Sequence, residues 1–333
     1  MKSKSYNITK AIALLLISIG SNNIYAQNGD HAKVNIGLIY PLSSNYTDAP
    51  RDTNKFSFNL IASVAAAVHG FSLAGISNVV SGDAKGLQIA GFSNHVGKSA
   101  DGVMVAGFIN TYTKGNGIAV AGFTNIAHNS SNVQIAGFLN IGGDVADLQV
   151  AGFMNKAKKL KGIQVGFINI ADSADTQLGI INIAKNNEKS IGVSIDDIET
   201  TMLTLRSGGK RFYGIIGLGY NVKNTKEKYA FEAGLGANLL REKAFSLKTE
   251  LTSTGLESFK GDEYYKSSFY LTPAFKITRS IEIFAGPSFN YVETDNPEGK
   301  AIVKTYVRTW DNNDDNHLKG LYFGYTAGIQ FYF

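Results

Sequence analysis

The sequence predicts an all-β fold, an antiparallel β-barrel that crosses a membrane, and three patterns carry that expectation. The C-terminal third alternates apolar with polar or small residues over stretches of about 10–13 residues. These are longer than ordinary strands of soluble sheets and match the roughly 9–11 residues a tilted strand needs to cross a bilayer. The middle third repeats a short apolar unit every 13–16 residues. The first 26 residues have the build of an export leader.

In residues 1–26, Lys2, Lys4 and Lys10 precede the apolar run AIALLLISIG (11–20), and Ile24-Tyr25-Ala26 ends in a small residue at the expected cut. The run is too short to span a bilayer as a helix. No cysteine follows the cut, so a lipid anchor there is excluded. Removing the leader, with three lysines and no acid, leaves 307 residues and lowers the formal net charge from +5 to +2. The pI of about 9.0 therefore overstates the basicity of the mature chain, and nucleic-acid binding gets no support. A chain of 333 residues without cysteine has no disulfide framework, cysteine-ligated metal or thiol nucleophile. At 44% apolar residues it is not disordered.

Next in order, 27–69 carries two alternating runs, KVNIGLIYPL and KFSFNLIASVA, expected as N-terminal barrel strands. FNLIASVAAAV (58–68) is too short for a membrane helix.

Residues 70–197 are the repeat block, with the unit h-Q-h-A-G-F-x-N: LQIAGFSN, VMVAGFIN, IAVAGFTN, VQIAGFLN and LQVAGFMN, flanked by degenerate copies. The closing asparagines are Asn78, Asn94, Asn110, Asn125, Asn140, Asn155, Asn169 and Asn182, spaced 16, 16, 15, 15, 15, 14 and 13 apart. Two architectures fit. In a β-solenoid each unit is one coil, so Phe92, Phe108, Phe123, Phe138 and Phe153 stack as an aromatic ladder and the asparagines as a hydrogen-bonded one. In an antiparallel meander each unit is one wall strand, Gln faces Asn, and Val133, Ile135, Gly137, Leu139 and Ile141 face outward while Gln134, Ala136, Phe138 and Asn140 face inward.

The C-terminal part, 198–333, has the clearest strands. In LYFGYTAGIQFYF one face is Leu321, Phe323, Tyr325, Ala327, Ile329, Phe331 and Phe333, and the other is small or polar. Phe245, Leu247, Thr249 and Leu251 likewise oppose Ser246, Lys248, Glu250 and Thr252. Tight connections at 207–210, 241–243 and 278–279 alternate with longer ones at 222–228, 256–264 and 293–317, the last a large outer loop. Tyr213, Tyr220, Tyr265 and Tyr291 are expected as interface girdles.

With its leader, terminal aromatic strand and final Phe333, the chain resembles bacterial outer-membrane β-barrel proteins. That resemblance implies that Phe333 belongs to the signal read by the outer-membrane assembly machinery. The repeat block resembles the short Gly-Phe-x-Asn surface repeats of poorly characterised Gram-negative envelope proteins. It implies a Gram-negative outer-membrane location and brings no activity. Both termini of such barrels face the periplasm, so the strand count is even. Two strands before the repeats, nine from the repeat block including SIGVSI (190–195) and seven after it give 18. The leading expectation is that continuous barrel; the alternative is a smaller barrel plus a β-solenoid formed by the repeats.

No catalytic, cofactor-binding or metal residues are assigned. His31, His69, His95, His128 and His317 are dispersed. Asp311, Asp314 and Asp315 have calcium-like spacing, but Asn316 and Tyr322 stand where an EF-hand needs Gly and Glu. No G-x-S-x-G elbow or phosphate loop occurs. His128 and Ser130 resemble the pair of outer-membrane lipid deacylases but sit in a repeat linker without a carboxylate in register. Lys156, Lys158, Lys159 and Lys161 could touch anionic headgroups, though a solvated turn is the commoner meaning. The repeat Asn and Gln could line a pore or bind sugars, but satisfying one another is the plainer role. The expected function is a non-enzymatic outer-membrane β-barrel, a passive pore or structural envelope protein. The alternative is a surface-exposed binding or adhesion protein using the repeats and outer loops. Expected partners are outer-membrane lipids and the assembly machinery; no cofactor is expected.

Overall fold

The computed structural model describes residues 33–224, 227–258, 263–295, 297–311 and 317–333. The leader expected at 1–26, His31, Asp314 and Asp315 lie outside the described residues. Two sheets hold nearly all the strands, one mostly parallel over 33–183 and one antiparallel and closed over 188–332.

The repeats form a β-solenoid. Each unit runs along one strand, bends at Gly-Phe, returns along a second strand and passes through a linker to the next coil. Identical positions pair in parallel: Asn94 with Asn110, Asn110 with Asn125, Asn125 with Asn140, and Gln134 with Gln149. Nine layers stack among the described residues, from 53–65 to 173–183. At a strand spacing of about 4.8 Å the stack is roughly 40 Å long.

Its thin interior is filled by small side chains and amides, with Met104, Tyr112 and Leu160 as larger buried members. The asparagines from Asn78 to Asn182 are buried, and from Asn78 to Asn169 each Nδ2 donates to the next Oδ1 at 2.8–3.0 Å. Gln149, Gln164 and Gln177 each donate to the preceding glutamine at 2.6–2.7 Å. A primary amide has both donor and acceptor, so like amides stack head to tail with neither stranded. The rings of Phe92, Phe108, Phe123, Phe138, Phe153 and Phe167 stack outside, on the corner, 4.8–6.2 Å apart and within 3–12° of parallel. A Cβ on Gly107 would lie 2.0 Å from the Gly91 carbonyl oxygen, and one on Gly122 2.1 Å from that of Gly107. The close approach of coils at the bend therefore requires glycine.

This arrangement overturns the 18-strand barrel. Antiparallel pairing would set Gln against Asn, whereas parallel stacking lets Asn meet Asn and Gln meet Gln in a dry interior. The Gly-Phe bend also interrupts the alternation at one position: Gln134, Ala136 and Asn140 are inward as expected, while Phe138, expected inward, is exposed on the corner. Residues 33–69, expected as barrel strands, belong to the solenoid: Thr53–Ala65 pairs in parallel with Ala67–Ala74, and the antiparallel hairpin Lys33–Ile39 and Leu42–Ser43 lies beyond it at the end of the sheet. SIGVSI (190–195), counted with the repeats, lies in the first barrel strand.

The barrel has eight strands, Glu188–Asp196, Thr200–Gly208, Phe212–Asn221, Tyr229–Arg241, Phe245–Glu257, Glu263–Lys276, Ile281–Thr294 and Leu318–Tyr332. The first pairs with the last, Ser190 opposite Tyr332 through Asp196 opposite Thr326, and closes the wall. Period-2 alternation puts Leu203, Leu205, Ile216, Leu218, Phe231 and Phe323 outside and exposed, and Thr204, Arg206, Lys248, Glu250 and Lys266 inside and buried. A water-soluble protein has the opposite arrangement. The connections at 209–211, 242–244 and 277–280 are short and lie at one end, together with the start of the first strand and the end of the last.

The last coil docks on the outside of this wall. Ser207 and Gly214 are register partners on the outward face of the second and third strands. Asn182 donates its backbone N–H to the Ser207 hydroxyl and its side-chain amide to the Ser207 carbonyl. A Cβ on Gly214 would lie 2.1 Å from the Ile180 carbonyl oxygen, so glycine there is what lets the coil seat.

Candidate functional site

Inside the barrel, opposite charges on different strands meet across the lumen. Arg206 and Glu250 form a bidentate pair, Nε to Oε1 at 2.9 Å and Nη2 to Oε2 at 3.0 Å. The Tyr213 hydroxyl donates to the same Oε1 at 2.7 Å, and the guanidinium lies 5.4 Å from the Phe284 ring centre. Nearer the short turns, Lys248 pairs with Glu282 and donates to Gln330 Oε1 and the Tyr332 hydroxyl, each at 3.1 Å. Nearer the long connections, Lys266 pairs with Asp196.

The long-connection end is closed by apolar packing. The helix Pro297–Ile302 brings Ile302 and Val303 against Ile198, Met202, Leu256, Tyr264 and Tyr322. Lys223 Nζ donates to the Ile302 carbonyl at 2.9 Å. Tyr306 packs edge-on against Tyr322, and burial pushes its hydroxyl up to about 12. Two lumen cavities measure about 20 Å³ each, room for about one water apiece. Charge-paired side chains line both voids, Arg206 and Lys248 the one and Arg206 and Glu250 the other.

Other sequence-derived candidates fall in separate places. The asparagine and phenylalanine ladders come together, the first inside the solenoid and the second outside it. His95 donates to or accepts from Thr111 Oγ1 at 2.6 Å; His69, His128 and His317 are exposed. His128 is exposed and Ser130 half-buried on the linker edge of the solenoid. Lys158, Lys159 and Lys161 are exposed there too, with Lys156 on an outer face. Tyr220, Tyr265 and Tyr291 face outward, but Tyr213, expected in the girdle, points into the lumen because it alternates with Phe212 and Gly214. Phe333 is exposed at the short-turn end, its N–H donating to the Lys189 carbonyl at 3.1 Å. Sequence reading saw Lys248 and Glu250 as inward residues but missed their partners Glu282 and Arg206. Opposite charges on inward positions of different strands were the available signal.

No family model matches the chain, and no curated protein matches it. Among solved structures, it is similar to the crystal structure of Neisserial surface protein A (NspA), at 11% identity and a TM-score of 0.23, over 44% of this chain and 94% of that one.

Proposed function

We propose that this chain is a non-enzymatic outer-membrane β-barrel protein whose barrel is a closed anchor for the repeat solenoid, exported by its leader and inserted by the outer-membrane assembly machinery. The observation that carries this reading is the eight-strand wall, apolar outside, around a lumen crossed by the pairs Arg206–Glu250, Lys248–Glu282 and Lys266–Asp196. Eight-strand barrels are just wide enough for side chains to fill, and here they fill it with ion pairs. Short turns and both ends of the barrel lie together, the pattern of a barrel whose termini face the periplasm. The solenoid, which precedes the first barrel strand, then belongs to the periplasmic side, and surface contacts fall to the longer connections.

Planar-bilayer recording on the purified, refolded protein tests the closed anchor against a pore. The expected result is a flat baseline at all voltages; reproducible single-channel steps would restore the passive-pore reading. Deleting 304–307 from the long connection addresses the adhesion alternative, which requires loss of surface binding with the barrel still folded.

A further inference from the structure

We infer that the solenoid lies flat in the periplasmic leaflet, with its Gly-Phe corner buried among phospholipid acyl chains and its linker edge turned to the periplasm. This rests on the outer-membrane reading of the barrel and adds a second, non-barrel lipid contact to it.

The direction of the stack comes from its junction with the wall. Backbone N–H and C=O groups of parallel strands point along the stacking axis. At the last coil, the Asn182 N–H points at the hydroxyl of Ser207, a side chain on the outward face of the barrel. The solenoid therefore leaves the wall sideways, across the barrel axis. Its rotation follows from two further contacts. The Gly179–Ile180 bend, the equivalent of Gly-Phe in the last coil, seats on Gly214, in the outward column between Phe212 and Ile216. The linker end of the same strand puts the Asp175 carbonyl 3.8 Å from the position a Cβ would take on Gly209, in a short turn. The corner thus sits at the height of the apolar wall and the linkers at the height of the polar turns.

The surface of the stack has matching chemistry. Beside the phenylalanine column run two aliphatic columns, represented by Val133 and Ile135 in one coil; beyond the bend the two columns are mixed, Leu139 stacking on Thr124 and Met154, and Ile141 on Ile126 and Lys156. The linker edge carries Lys85, Asp101, Lys114, Asp144 and Lys159 instead. Four residues of strand at about 3.3 Å each give an apolar depth of roughly 13 Å, close to one leaflet of a hydrocarbon core about 30 Å thick. Hydrocarbon also demands that backbone groups be paired, and the N–H groups of the corner are. The N–H of Phe108 donates to the Phe92 carbonyl, that of Phe123 to Phe108 and that of Phe138 to Phe123, at 2.9–3.1 Å. Those of Gly107, Gly122 and Gly137 donate to Ala90, Ala106 and Ala121.

The test uses full-length protein refolded into phosphatidylcholine vesicles brominated on the acyl chains, with Trp310→Phe as the background and single tryptophans placed in turn. Folding is judged by heat-modifiable gel mobility. Phe123→Trp and, as a second ladder position, Phe138→Trp are expected to lose most of their emission, as is Leu218→Trp on the barrel wall, while Asn129→Trp on the linker edge keeps it. If Leu218→Trp is quenched and the ladder positions are not, the inference is overturned and the barrel reading stands. Aqueous iodide then separates a water-facing ladder, which it quenches, from one covered by a second copy of the chain, which it does not. If Leu218→Trp itself keeps its emission, the membrane barrel fails and the inference with it.

Discussion

Asn182 is the rung where the asparagine ladder meets the barrel: its backbone N–H donates to the Ser207 hydroxyl at 3.1 Å and its side-chain amide to the Ser207 carbonyl at 3.2 Å. The hydrogen-bonded column begun at Asn78 thus ends on a protein acceptor, and the last coil has no bare amide at that rung. Solenoids need such capping because an open coil edge exposes unpaired backbone groups.

Gly214→Val tests this seat. Its Cβ would fall 2.1 Å from the Ile180 oxygen and 2.3 Å from that of Gly179, both backbone atoms that cannot rotate away. The barrel, altered only on its outer face, is expected to keep its heat-modifiable mobility. Limited proteolysis is expected to cut faster between 183 and 188, releasing the solenoid, while Leu218→Val leaves cleavage unchanged.

Within the stack, Asn125→Ala removes donors to the Ile135 carbonyl and Asn140 Oδ1 and leaves the Asn110 amide with one of its two acceptors, the Val120 carbonyl. Each buried polar group left unpaired costs about 1–3 kcal/mol. Hydrogen exchange is expected to speed up in the coils on either side of 125 and to stay unaltered in the barrel, since each coil meets only its neighbours. Uniform acceleration over both parts would contradict this.

For the lumen, Glu250→Leu leaves Arg206 buried without its carboxylate and is expected to cost about 3–5 kcal/mol, whereas the double change Arg206→Met with Glu250→Leu recovers most of that loss. Urea titration of refolded barrels, read by gel mobility, gives both numbers. A double variant no better than the single one would show that the pair acts through its shape, not its charge.

Alkaline pH should loosen the solenoid through Tyr112. Burial pushes its hydroxyl up to about 12, against hydrogen bonds to Gln134 and Ser131 that pull it down; the unfolded chain ionises near 10. The folded form holds the proton more tightly, so the contribution to stability is complete below about pH 10 and is lost as pH rises through about 12. Tyr112→Phe, which has no proton to lose, is expected to flatten that part of the stability profile, with tyrosinate absorbance of the parent reporting the ionisation.

At the end of the chain, Phe333 is exposed and held by one backbone hydrogen bond to Lys189. Full burial of a phenylalanine is worth roughly 1.5–3 kcal/mol, and an exposed one contributes less. Deleting it is expected to lower the amount found in outer-membrane fractions sharply while detergent-refolded protein stays nearly as heat-resistant as the parent. Undiminished membrane levels would remove Phe333 from the assembly signal.

The barrel was legible because its alternation runs unbroken for whole strands, as in 318–332, where every other residue meets either the outside or the lumen. The repeats hid their architecture because a unit such as VQIAGFLNI alternates as if straight. The bend at Gly137-Phe138 is a three-dimensional event: Gln134, Ala136 and Asn140 keep one parity and stay inward, and only Phe138 is turned out. The ladder residues could still be named from spacing alone, since Asn recurring at near-constant intervals stacks in any parallel coil. The junction was not legible: Ser207 and Gly214 lie in unremarkable strand sequence, and their role depends on which coil arrives beside them.

The taper of the period, from 16 residues between Asn78 and Asn94 to 13 between Asn169 and Asn182, falls in the linkers except for one residue at the bend, where Val165-Gly166 and Leu178-Gly179 lack the alanine of the earlier units, while the rungs keep their registration. Tandem duplication or loss of one unit would therefore lengthen or shorten the arm by about 4.8 Å and leave the hairpin at one end and the seat on Ser207 and Gly214 at the other unaltered. Reach is set by copy number, a quantity that replication slippage changes in whole steps, so related genes are expected to differ in the number of units between two constant ends.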